Sequence, residues 1–266
     1  MRLMTAQLTR LALFSAVVTA TAVATAANVS TEQPTDHSAE MQNIQQLTWS
    51  ADVPALKNVC RQFDAVTPVS ADAQTRYVAA YCDYRVAYIG NKNPSLYAAD
   101  MEQALARSEL RLQALSETAN AYQAESLALL SSVYGMEIAL TPSKGATLGA
   151  KADKAIAQAE ALDGQNPRVQ LFKGLGKLFT PVMYGGDKAV AINAFDLAIA
   201  ALPAARSDAV NWGLEDAYIW RSIALRDSDM NAAKHSLELA LSIAPNHGWA
   251  LRQLAELNQM PSNRAQ

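Results

Sequence analysis

Residues 229–245 read Asp-Met-Asn-Ala-Ala-Lys-His-Ser-Leu-Glu-Leu-Ala-Leu-Ser-Ile-Ala-Pro, and the spacing inside this run decides the fold. Ala233, Leu237, Ala240 and Pro245 stand four, three and five residues apart. At 3.6 residues per turn the first three share one helical face in the order small, large, small. A small residue lets a neighbouring helix approach closely, a bulky one a turn later fills the space left, and the proline stops the helix.

The same spacing recurs upstream. Ala191, Phe195, Ala198 and Pro203 follow a Gly186-Asp187 turn, as Ala233 follows Ser228-Asp229, and a weaker copy reads Ala155, Ala159, Leu162 and Pro167. A further helix is expected before the last copy, over about 214–226. Between these segments helix formers dominate, with apolar residues three and four apart and no sustained alternation of the kind a half-buried strand shows. Breakers at Pro54, Pro68, Gly90 to Pro94, Pro142 with Gly145, Gly164 to Pro167, Thr180 to Gly186, Pro203 and Pro245 to Gly248 cut the text into paired pieces. The class is all-α.

This pattern resembles the tetratricopeptide repeat, whose second helix carries small residues at the first and third of these places and whose proline closes the unit. The resemblance implies a right-handed α-solenoid of antiparallel helix pairs with a ligand surface on its concave side. It covers about 118–257, while 49–117 joins by helical pairing alone, as a capping helix near Val53 to Phe63 and a degenerate repeat. The family repeats every 34 or so residues, whereas successive prolines here lie 36 and 42 apart. Where the family prefers a glycine in the first helix, the last copy has Arg221-Ser222.

The two ends add an address. Met1-Arg2, Arg10 and the uncharged run Leu11 to Ala27, closing on Ala24-Thr25-Ala26, have the layout of a bacterial Sec-type signal peptide over 1–26, with cleavage after Ala26 or Ala27. The run is shorter and more broken by threonines than a membrane span of roughly 20 residues. A periplasmic or secreted product is expected, with a polar lead-in over 27–48 and a tail over 258–266. Loss of Arg2 and Arg10 takes the formal charge from −3 to −5, with no basic block to follow phosphates, so nucleic acid is a poor partner. Two cysteines, Cys60 and Cys82, are expected to pair in an oxidising compartment and staple two neighbouring helices; two buried thiols are the other reading.

The most distinctive string is Thr180-Pro-Val-Met-Tyr-Gly-Gly-Asp187. Its glycines allow positive φ and its aspartate caps a helix, which is architecture. A second reading makes Met183 and Tyr184 the lip of a ligand cavity, and the loop is similar to one in periplasmic tetratricopeptide partners of tripartite transporters. Gly174 and Gly176 sit inside a helix, where close packing explains them better than a phosphate loop.

Candidate binding residues are Tyr77, Tyr81, Tyr84 and Tyr88, one stripe with Arg85 beside it, and Trp212, Glu215, Tyr218 and Ser222. Each set is either a packing face or a groove able to stack on and hydrogen-bond a ligand. The three histidines lack metal-ligand spacing, and neither His-Glu-x-x-His nor Gly-x-Ser-x-Gly occurs. The expectation is a binding protein with no catalytic residues, no metal and no cofactor, taking a protein or peptide partner on its concave face. The alternative is a small-molecule accessory of a transporter.

Overall fold

The computed structural model describes residues 36–64, 72–203 and 210–260, all within the compact unit Pro34–Gln266. The expected leader lies outside them, as does the tail beyond Met260. The described residues are helical without a strand: α1 (Ser38–Ser50), α2 (Val53–Gln62), α3 (Ala73–Gly90), α4 (Pro94–Ser116), α5 (Gln123–Leu140), α6 (Gly145–Asp163), α7 (Pro167–Phe179), α8 (Lys188–Ala201), α9 (Leu214–Leu225), α10 (Met230–Ile243) and α11 (Gly248–Gln259).

Local chemistry sets the helix starts. Asp52, Asp72, Asn166, Asp187 and Asp229 each accept a backbone N–H in the first turn of the helix they precede, satisfying donors that a helix leaves open. Pro54, Pro94 and Pro167 stand in the first turn, where their missing N–H costs nothing.

The four-three-five spacing marks the helix contacts. Ala191, Phe195 and Ala198 on α8, and Ala233, Leu237 and Ala240 on α10, are all fully buried. In the upstream copy Ala155 and Ala159 are buried but Leu162 is exposed, because α6 meets α7 over a short stretch only. Gly174 shows what the small residue is for: a Cβ there would lie 2.4 Å from the Phe195 ring. Gly176 has open space around it, so packing does not explain it.

Helices pack chiefly as α3 with α4, α5 with α6, α7 with α8 and α9 with α10. Contacts of α3 with α5, α5 with α7 and α7 with α9 place the first helices of successive pairs along one side. The stack closes on itself, since α1 touches α11.

Two expectations for the N-terminal third are corrected. Residues 38–48, expected to be polar lead-in, are helical, and Met41, Ile44 and Thr48 are buried at helical spacing. His37, placed in the same lead-in, is buried and shares a 2.7 Å hydrogen bond with Thr75 Oγ1. The expected cysteine pair is formed: Cys60 on α2 and Cys82 on α3 are bridged, with Cα atoms 5.5 Å apart. The bridge closes a loop of 22 residues. Cys60→Ser with Cys82→Ser is expected to cost about 2–3 kcal/mol, mainly by freeing the unfolded chain. Urea unfolding of oxidised protein beside the variant checks this, and coincident midpoints would refute it.

Candidate functional site

The tyrosine stripe is core, not groove. Tyr77, Tyr81, Tyr84, Arg85 and Tyr88 are buried, as is nearly all of α3. The reason is long-range. Contact between distant helices brings rings from later segments onto α3, with Trp212 4.4 Å from Tyr81, Phe172 edge-on to Tyr84 at 5.8 Å, and Trp220 and Trp249 edge-on to Tyr88 at 6.0 and 6.3 Å. An open concave face there is thereby filled.

The second candidate set follows. Trp212, Glu215 and Ser222 are buried, and only Tyr218 is half-exposed. Arg85 forms a two-pronged pair with Asp216 of α9, Nη1 to Oδ2 at 2.8 Å and Nη2 to Oδ1 at 3.3 Å, while its guanidinium lies 4.3 Å from the centre of the Tyr88 ring. Arg85 is thus a buried strut between α3 and α9, unavailable as a carboxylate handle. The Tyr84 hydroxyl, hydrogen-bonded to Ser132 at 3.0 Å, is pushed by burial up to about 12. It serves as a neutral packing group.

Glu215 lies beside this pair and accepts from the Trp49 indole N–H at 3.3 Å. Burial, and then the adjacent Asp216 carboxylate, push its carboxyl up to about 7. His247, capping α11, is pushed down to about 4 by burial. From about pH 4.5 to 7 the folded state holds the Glu215 proton more tightly than the unfolded chain, so this group makes stability fall as pH rises. His247 acts in the opposite sense, because the unfolded chain binds its proton between about pH 6.5 and 4. Glu215→Gln keeps an acceptor for Trp49 and removes the first slope. The variant is expected to gain stability from pH 4 to 6.5 and to exceed the parent by a few kcal/mol above pH 7. Urea midpoints across that range test it, and parallel profiles for the two proteins would contradict it.

Around Trp220 and Trp249 the core reaches the surface. Trp220 and Trp249 lie 4.9 Å apart, and Phe179, at the end of α7 and 62 % exposed, stands edge-on to Trp220 at 5.3 Å. Phe179 leads into the 180–187 loop, where Val182, Met183 and Tyr184 form a single 3₁₀ turn and are 84, 80 and 69 % exposed. The loop is tied down on all sides. Lys177 Nζ donates to the Gly185 carbonyl at 2.9 Å, the Asp187 N–H to the Lys177 carbonyl at 2.9 Å, and the Gly186 N–H to the Pro181 carbonyl at 3.2 Å. Gly185 takes φ 93°, and a Cβ on Gly186 would fall 1.7 Å from the Thr180 carbonyl oxygen, so both glycines are required. The capping role of Asp187 is as expected. Met183 and Tyr184 project into solvent.

Past Trp249 a crevice of about 30 Å³ opens between the ends of α1 and α3 and the start of α11, with Tyr88, Lys92, His247, Trp249 and Arg252 among its walls. Lys92 Nζ sits 3.3 Å from the centre of the Trp249 ring. None of Lys92, Trp249 and Arg252 stood out in the sequence. They lie on separate elements, and no local motif joins them. Among the described residues no three His, Cys, Asp or Glu side chains group as metal ligands do.

No protein-family model matches the sequence, and no curated protein sequence matches it significantly. Among solved structures, the HusA haemophore from Porphyromonas gingivalis superposes with a TM-score of 0.57 at 22 % identity, over 73 % of this chain and 95 % of that one. The likeness is one of fold. It agrees with the all-helical architecture, and nearly the whole of the neighbour is matched.

Proposed function

We propose that this chain is an exported carrier for a flat, largely apolar small molecule of the tetrapyrrole class, built on a right-handed stack of tetratricopeptide-like helix pairs. It binds its ligand and does not transform it. The observation that carries the reading is the rigid display of Phe179, Val182, Met183 and Tyr184 beside the Trp220–Trp249 pair. Exposed apolar side chains held in place by backbone hydrogen bonds and two obligatory glycines, on the rim of an aromatic cluster, suit a planar ring system laid across the surface. The ligand lies on the outside because the inside is filled.

Three further facts support the reading. The fold neighbour is by name a haemophore. The leader expected over 1–26 would send the chain to an oxidising compartment, in which the Cys60–Cys82 bridge persists. The matched spacings with Gly174 against Phe195 support the repeat architecture. Titration of the mature protein with haem and with iron-free protoporphyrin, followed by the shift of their absorption bands, is expected to saturate at one ligand per chain. Phe179→Ser with Tyr184→Ser is expected to weaken binding about tenfold or more, as loss of two ring contacts implies. No saturable shift at tens of micromolar, or equal affinity in the variant, would overturn the proposal.

A partner protein is the second reading, favoured by the same projecting turn, since Val182, Met183 and Tyr184 could also seat in another protein's pocket. In that case the double variant loses a co-purifying protein while porphyrins bind neither form.

A further inference from the structure

We propose that the crevice where α1, α3 and α11 meet is a carboxylate site, taking the terminal –COO⁻ of a ligand whose remaining body lies outside it. The site stands on its own geometry, whatever occupies the exposed loop.

Two cations face it without an anion. Among the described residues neither Lys92 nor Arg252 has a carboxylate within ion-pair distance. The Arg252 guanidinium folds back over the first turn of its own helix, since a Cβ on Gly248 would lie 3.6 Å from its Nη1. Of the buried charges behind them, Arg85 and Asp216 neutralise each other, and Glu215, held against the Trp49 indole, opposes an anion only as it ionises around pH 7.

Two buried donors in the wall are also unspent. His247 is 2 % exposed, and its Nδ1 accepts the Ala250 N–H at 3.4 Å. The imidazole proton therefore sits on Nε2, which has no partner among the described residues. The Tyr88 hydroxyl likewise has none, and Tyr88 is 7 % exposed. Leaving such donors buried and unmet is unfavourable, and an oxyanion drawn in against this wall would give them an acceptor.

The helix ends around the crevice partly cancel. The N-terminus of α11 favours an anion, whereas the carbonyl ends of α1 and α3 oppose it, each by about half a charge. The two whole charges of Lys92 and Arg252 outweigh that remainder. The space, about 30 Å³, is roughly two to three times the ~10–15 Å³ that one water needs. It admits one small group, not a whole ligand. Lys92 is an exposed residue, but desolvation of its ammonium over the Trp249 ring, then Arg252 and Arg85, push it down to about 8. An anion in the crevice relieves that repulsion.

The test uses benzoate, its neutral counterpart benzamide and inorganic phosphate on the mature chain, read by the NMR signals of the Trp249 indole and His247 ring. Benzoate is expected to saturate in the range of about 1–10 mM, with benzamide and phosphate weaker by about tenfold. Arg252→Gln, at an exposed position that leaves the fold unperturbed, and Lys92→Met should each weaken benzoate about tenfold. Unchanged signals with benzoate, equal binding of benzamide, preference for phosphate, or parental affinity in Arg252→Gln would each overturn the assignment. Because none of these probes is a porphyrin, failure of this site and failure of the carrier reading are told apart.

Discussion

Asp216→Ala is expected to destabilise the protein by about 3–5 kcal/mol, because it strands the Arg85 guanidinium, 2 % exposed, with no counter-charge. Arg85 cannot escape by losing its proton; guanidinium stays charged in proteins, and in the fold its pKa is raised further by Asp216 against the opposing effect of burial. The pair bridges α3 and α9, so its loss loosens the closure that buries the tyrosine stripe. Arg85→Met combined with Asp216→Leu removes both charges and is expected to recover most of the loss, as buried pairs replaced by apolar groups commonly do. Equilibrium unfolding of the three proteins in urea decides the matter. A single variant within about 1 kcal/mol of the parent would show that the pair is not the strut described.

Phe195→Ala is expected to cost about 4–5 kcal/mol, at the upper end for a buried ring. The ring is fully buried and rests on Gly174, which has no side chain to move into the space. The cavity therefore stays open, and the lost contacts are not recovered by relaxation. Loss of less than about 2 kcal/mol would mean that α7 and α8 collapse together, and that the glycine is there for another reason.

The helix pairs were legible because their signals are local. Ala191, Phe195 and Ala198, like Ala233, Leu237 and Ala240, sit within one or two helical turns of each other, and the capping residues Asp187 and Asp229 stand next to the helices they start. The cysteine pair was legible because α2 and α3 are neighbours in the chain. Helix α1 was missed since its three buried residues are spread among glutamines and asparagine, which disguise the period.

The sequence by itself determined that this chain folds into helices, how those helices pair, and that one loop is shaped by two glycines and an aspartate. Tertiary structure alone decided which faces meet water. A stripe of four tyrosines is equally fit for a groove or a core; the ring contacts from Phe172, Trp212, Trp220 and Trp249, contributed by segments far along the chain, make it core. The same closure gathers Lys92, His247 and Arg252 around one crevice and leaves Phe179, Met183 and Tyr184 outside. Helix formation and pairing follow from residues a few places apart, whereas burial depends on contacts between helices far apart in the chain, which no local spacing records.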